Sequence, residues 1–162
     1  MHAGPEASLI HEEIREMKFD IRPAVPSDLP SILNLLQESG LPFQDVDLAR
    51  LRRFLVADAG SGIAGCVGLE CHAADALLRS LAVQPAVRHA GLGSLLAAAI
   101  EEEARGIGVT SLYLLTMTAA DFFARRGYRV VARTSAPQSL QQTTEFAGLC
   151  PSQAVCLHKR LT

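Results

Sequence analysis

The 162-residue sequence predicts one α+β domain on a mixed, mostly antiparallel sheet of about six to seven strands, flanked by about four helices. Three observations predict it. Apolar runs at Phe54–Ala57, Ile63–Glu70 and Leu77–Val83 are separated by short turns, as in an antiparallel meander. A strong amphipathic helix follows at Leu92–Arg105, with Leu92, Leu95, Leu96, Ala99 and Ile100 on one face. Beyond it the pattern reads strand, helix, strand.

In chain order, residues 1–17 form an N-terminal extension, in which Ser8–Ile14 has the spacing of a short amphipathic helix or belongs to a mobile tail. The domain proper occupies 18–162. Phe19–Arg22 alternates as a strand does. Ser27-Asp28 caps a helix striped by Leu29, Ile32, Leu33, Leu35 and Leu36 and ended by Gly40. Asp45 to Phe54 reads as a second, shorter helix. Gly60-Ser61-Gly62 and Ala74-Asp75 are the turns of the meander, and Gln84-Pro85 stops its last strand. In the long helix Glu101, Glu102 and Glu103 read as a solvated face. Leu112–Leu115 is a buried strand, Ala119–Arg126 a helix, Tyr128–Val131 a strand, Pro137–Phe146 helical and Ala154–His158 the last strand.

Composition narrows the function. Apolar residues make up 49% and the net charge is −2, which argues against a surface built to hold nucleic acid. No apolar run is long enough to span a membrane, and residues 1–17 are too polar for a secretory signal, so the expected location is cytoplasmic. The four cysteines, Cys66, Cys71, Cys150 and Cys156, form no CxxC pair, and His72, His89 and His158 have no ligand spacing, so no metal is expected.

The chemical signal is Arg88-His89-Ala90-Gly91-Leu92-Gly93, between the meander and the long helix. Glycines let backbone approach a ligand closely, and amides at a helix start lack internal partners and face the positive end of the dipole. Such a loop suits phosphate, and Arg88 adds a guanidinium. The Gly-Lys-Ser/Thr of a P-loop is absent. A dinucleotide fingerprint would need glycine at Leu96 and a βαβ setting, which an antiparallel meander disfavours. A second segment, Ala120-Asp121-Phe122-Phe123-Ala124-Arg125-Arg126-Gly127-Tyr128, lies downstream.

With that segment and the element order, residues 18–161 resemble the GCN5-related N-acetyltransferases (GNAT). The resemblance implies acetyl-CoA as co-substrate. Backbone groups of Leu81, Ala82 and Val83 would pair with the pantetheine arm as an added strand would. Arg88 and the amides of His89, Ala90, Gly91, Leu92, Gly93 and Ser94 would hold the pyrophosphate. The family more often has glycine where His89 stands, and often tyrosine where Phe123 stands. Leu77–Val83, Leu114–Phe123 and Glu145–Cys156 further resemble the bacterial arsenic-resistance N-acetyltransferases and the acetyltransferase domain of N-acetylglutamate synthases. Both imply an acceptor that is the α-amino group of a small anionic amino acid, in the first group an arsenical such as arsinothricin. A short N-acetylglutamate synthase, or a non-catalytic thiol-based arsenical binder on the same scaffold, are the alternatives. The partner is a small molecule, with a homodimer through sheet edges as the assembly relatives suggest.

Acetyl transfer to an amine needs a base, and Glu70 is the candidate. If Ala74-Asp75 form the turn, Glu70 lies opposite Arg79 on one face of the sheet. Arg79 would then clamp the acceptor's carboxylate; the plain alternative is a cross-strand ion pair. His72 shares the strand parity of Glu70. Thr116 and Thr118 stand where a strand meets a helix and could contact substrate, with helix capping the stronger reading for Thr118. Phe122 and Phe123 read as core and pocket wall, and Tyr113 and Tyr128 as packed sheet residues. Cys150 and Cys156 are candidate arsenic ligands or ordinary buried thiols.

Overall fold

The computed structural model describes residues 19–162, and the reading of residues 1–17 lies outside them. Strands β1 (Asp20–Pro23), β2 (Phe54–Asp58), β3 (Ile63–His72), β4 (Asp75–Val83), β5 (Ser111–Thr116), β6 (Arg129–Val131) and β7 (Val155–Arg160) form one sheet in the order β1-β2-β3-β4-β5-β7-β6. Only the β4–β5 pair is parallel. Helices α1 (Leu29–Glu38), α2 (Leu48–Leu51), α3 (Leu92–Gly106), α4 (Ala120–Ala124) and α5 (Gln138–Gln141) flank it.

Strand alternation divides the core between the two faces. On one face Leu55, Val67, Leu69 and Leu78 pack under Leu92, Leu96 and Ile100 of α3. On the other, Phe54, Val56 and Cys66 meet Ile32, Leu35 and Leu36 of α1. Farther along that second face, Leu77 and Cys156 pack with Leu140 of α5 and Phe146. The α1 stripe is thus as predicted, and Gly40 follows the helix at φ +69°.

Gly68 is set by packing. A Cβ there would come within 2.4 Å of the Phe54 ring, itself fully buried opposite it. Gly68→Ala is therefore expected to destabilise the fold by about 1–3 kcal/mol in urea unfolding. Gly106→Ala, where a Cβ meets nothing within 4 Å, is the control expected to leave stability unchanged or slightly raised.

Four sequence expectations change. The second helix is only the α2 turn, capped by Asp47 through the Arg50 amide, so Asp45 falls in the loop before it. Glu101 is buried rather than solvated, bonded to Lys159 and to Tyr128 Oη. Residues 145–149 form a π-helical turn beyond the short α5. The β3–β4 turn is Ala73-Ala74, since His72 pairs with Asp75. Glu70 therefore stands opposite Leu77, and Arg79 opposite Gly68. Moving a two-residue turn by one position shifts each pairing by two residues, so every side chain keeps its predicted face.

Two irregularities in β4 prepare the site. Between the pairs Cys66–Ala82 and Gly68–Arg79, Ser80 and Leu81 face Val67 alone, a bulge with Ser80 at φ +61°. The parallel β4–β5 ladder covers only Asp75–Leu77 against Ser111–Tyr113, although both strands run on. Beyond those pairs the strands part, and β4 presents backbone with no neighbouring strand.

Candidate active site

The parting of β4 and β5 opens a cleft of about 290 Å³. Its walls are Leu78–Val83 on one side and Leu114–Thr116 on the other, with Phe123 beneath and Arg88 at one end. Leu81, Ala82 and Val83 all line it. Arg88 Nε donates to Val83 O at 3.1 Å, which holds the guanidinium at the mouth.

That mouth leads into the glycine loop. A second cavity shares Val83 and Arg88 and is lined by His89, Gly91, Gly93, Ser94 and Phe122. Gly91 caps α3 at φ +85°, the left-handed region that glycine tolerates. The Leu95 amide donates to Gly91 O, so the amides of Leu92, Gly93 and Ser94 precede the first helical bond. The Leu92 side chain is buried under the sheet, leaving that residue only its amide to offer, while Ala90 is partly exposed between the two turns. His89 has φ +68°, which explains why glycine suits this position and shows that histidine also occupies it.

At the other end the cleft opens into a cavity of about 400 Å³, with which it shares Ser39, Leu41, Leu115, Thr116 and Thr118. One wall is Gln37 at the end of α1 with the following chain Ser39–Gln44, and the other is Leu149–Pro151 with Ala154. The volume is that of a small-ligand site. Gln44 Oε1 accepts from the Phe43 amide at 3.1 Å, which leaves its NH₂ as a donor. Thr116 Oγ1 accepts from the amides of Ala119 at 2.9 Å and Thr118 at 3.3 Å, closing the turn before α4, whose N-cap is Ala119 with no side-chain cap, so Thr118 does not cap the helix. Thr118 is exposed where the two cavities meet.

Arg79 lies beneath this junction with its side chain only 1% exposed. All three of its nitrogens have protein partners. Nε donates to Ser80 Oγ at 3.1 Å, and Nη1 and Nη2 each donate to Asp45 at 2.6 Å. Nη1 also reaches Glu70 Oε2 at 3.4 Å, and Nη2 lies 3.2 Å from Glu145 Oε1. With four hydrogen bonds and a further carboxylate at ion-pair distance, the Arg79 guanidinium is taken up within the protein rather than left open as a carboxylate clamp.

Glu70 belongs to the same cluster. Its Oε1 forms an ion pair with Arg50 Nη1 at 2.8 Å and lies 3.7 Å from His72 Nε2. It lines a separate cavity on the α2 side with Arg50, Arg53 and Cys71, and Arg79 is common to that cavity and the cleft. Glu70 and Arg79 do meet, as predicted, but diagonally, and Glu70 lines this separate cavity and not the cleft. Sequence reasoning missed Asp45, hidden inside an overlong helix, and Glu145. The available signal for Glu145 was an acid beside Phe146 and Leu149 at the start of the stretch Glu145–Cys156 that carries the narrower resemblance.

Burial shapes the charges. It pushes the Asp45 carboxyl up, but the bonds and charge of Arg79, with Arg50, outweigh it and hold that carboxyl below its usual value. Burial pushes the Arg79 guanidinium down, and Asp45, Glu145 and Glu70 more than reverse this. Glu145 has less compensation. Burial, with Asp45 and Glu70 nearby, raises it to about 7 despite Arg79 and Arg50.

The remaining predicted residues sort by position. Phe122 and Phe123 stack edge to face, with ring centroids 5.0 Å apart, and Phe123 packs on buried Tyr128. Tyr113 stacks on His158 away from the cleft. Cys150 lines the larger cavity, its thiol pushed up to about 12 by burial and by Glu145, and Cys156 is in the core. Among the described residues no group of three His, Cys, Asp or Glu could hold a metal ion, and no helix is long and apolar enough to cross a membrane.

Residues 50–130 match the family described as acetyltransferase (GNAT) domain. The chain is 27% identical over 149 residues to an amino-acid acetyltransferase of Pasteurella multocida, covering 86% of this chain and 32% of that protein. It is 30% identical over 110 residues to an uncharacterized N-acetyltransferase of Chlorobaculum tepidum, covering 67% and 68%. The crystal structure of N-acetylglutamate synthase from Neisseria gonorrhoeae, complexed with coenzyme A and N-acetyl-glutamate, is similar at a TM-score of 0.79. That match has 26% identity and covers 91% of this chain and 36% of that one. The chain thus spans about a third of the amino-acid acetyltransferase and synthase chains it matches.

Proposed function

Because the chain belongs to the GNAT acetyltransferase family, we propose that it transfers the acetyl group of acetyl-CoA to the α-amino group of a small anionic amino acid of the glutamate class. The observation that carries this reading is the continuous cleft between β4 and β5. It has a phosphate-suited loop at one end and a small-ligand cavity at the other. A cofactor spanning that path sets its thioester where the two cavities meet.

In this reading Arg88 and the amides from His89 to Ser94 hold the pyrophosphate, and the free edge at Leu81–Val83 pairs with the pantetheine arm. The acceptor amine, once neutral, attacks the thioester carbonyl. The tetrahedral intermediate collapses to the amide and expels the thiolate, the nitrogen losing one proton and the sulfur gaining one. Holding both reactants in one channel lowers the entropic barrier to this step. Gln37, Gln44 and Thr118 supply neutral donors for the acceptor's carboxylates. Glu70, on the far side of Arg79, acts as base only through intervening solvent. The glutamate class draws support from the synthase likeness, while an arsenical acceptor rests on the sequence resemblance alone.

The test is release of free coenzyme A from acetyl-CoA with L-glutamate, phosphinothricin and arsinothricin side by side. Turnover with at least one is expected, and turnover with none removes the acceptor class. Arg88→Ala is expected to raise the KM for acetyl-CoA about tenfold or more, the scale of one charge-assisted hydrogen bond. Glu70→Gln with unchanged turnover from pH 7 to 9 removes Glu70 as base.

A further inference from the structure

The two walls of the acceptor cavity come from chain segments about a hundred residues apart, and each is anchored by an acid. Asp45 directly follows Gln44, the end of one wall, and Glu145 opens the π-helical turn that ends at Leu149 in the other. Both acids contact the same guanidinium. Arg79 binds Asp45 through two 2.6 Å bonds and approaches Glu145 at 3.2 Å. No other contact among the side-chain bonds and ion pairs of the described residues joins these two walls.

We propose that Arg79 is a positioning residue, tying Asp45 to Glu145 and thereby setting the distance between the walls that enclose the amino-acid acceptor. The proposal rests on the acetyltransferase reading for what the cavity holds, not for the tie itself. Arg79 side-chain exposure of 1%, with 8% for Asp45 and 5% for Glu145, places the tie beneath the cavity rather than in it. A buried bidentate pair has fixed geometry, so it transmits position rather than merely charge.

The tie is unevenly balanced. Three carboxylates, Asp45, Glu70 and Glu145, share two guanidinium groups, Arg79 and Arg50. The groups facing Glu145 are Arg79 from β4, Asp45 from the α1–α2 loop, Glu70 from β3 and Arg50 from α2, with Cys150 on its own segment. Asp45 holds the guanidinium through two 2.6 Å bonds and Glu145 through one approach at 3.2 Å, so the Glu145 arm is the weaker of the two.

Hydrogen–deuterium exchange on the full chain tests the tie without requiring turnover. Arg79→Lys, which cannot bridge both acids, is expected to speed exchange about tenfold in residues 37–47 and in 145–154, but not in 92–106. With L-glutamate the Arg79→Lys KM should rise about tenfold while the KM for acetyl-CoA stays within about twofold. Asp45→Ala and Glu145→Ala each cut one arm and serve if Arg79→Lys fails to fold. Faster exchange in neither wall, or equally throughout the chain including 92–106, overturns the proposal. Absence of wild-type turnover with L-glutamate instead counts against the acceptor reading, and the exchange result still decides the tie.

Discussion

Arg79→Met is expected to lower the unfolding free energy at pH 7 by about 3–5 kcal/mol, the scale of removing one partner from a buried ion pair. Methionine keeps the length of the side chain but withdraws the charge. Asp45, Glu70 and Glu145 would then share Arg50 alone, and Arg50 contacts only the first two, at 3.6 and 2.8 Å. An uncompensated buried carboxylate is costlier than a missing hydrogen bond, because its solvation is lost with nothing in return. Urea unfolding with wild type and variant side by side measures the difference. The deficit should shrink toward pH 5 as the orphaned carboxyls take up protons, so a pH-independent loss would mean that packing, not charge, holds this part of the fold. A loss below about 1 kcal/mol would place the cluster with ordinary surface ion pairs.

Glu145→Gln carries the opposite sign. The Glu145 carboxyl, raised by burial from 4.5 to about 7, binds its proton more tightly in the folded than in the unfolded chain. Its contribution to stability is fully present below pH 4.5 and is lost as pH rises through about 7. A tenfold difference in proton affinity between the two states is worth about 1.4 kcal/mol, so the ionised residue costs on the order of 3 kcal/mol at pH 8. Glutamine keeps the shape and a hydrogen-bonding carbonyl for Arg79 without the charge. The variant should therefore match wild type near pH 5 and exceed it by up to about that amount at pH 8. Asp45 pulls the other way: its carboxyl is held below the ordinary value, so its stabilisation is lost as pH falls. Thermal unfolding across pH 5 to 8 separates the two, and a variant that tracks wild type throughout would show that Glu145 is not ionising in this range.

Local patterns made much of the molecule legible. The apolar stripe of α1, the face of α3 and the alternating meander are properties of a few adjacent residues, and the buried sets match them except at Leu95, which is exposed. The cofactor end was legible for the same reason. A phosphate loop is built from consecutive amides at one helix start, so its ligand-binding groups are neighbours in sequence. Turn placement was the weak point, since Ala73-Ala74 and Ala74-Asp75 look alike locally. The error left Glu70 and Arg79 on a common face because strand periodicity survives a two-residue shift.

The acceptor end belongs to the tertiary structure. Asp45, Glu70, Arg79 and Glu145 lie on four segments, and nothing near any of them in sequence indicates the other three. Only folding showed that Arg79 is engaged by Asp45, Ser80, Glu70 and Glu145 and that Thr116 closes the turn before α4. By itself the sequence determined the fold class, the element order and the phosphate loop, because hydrophobic period and helix-start chemistry act over a few residues. The tertiary structure decided what the buried charges do. A charge taken out of water must find its partners wherever the fold brings them, and those partners are distant along the chain.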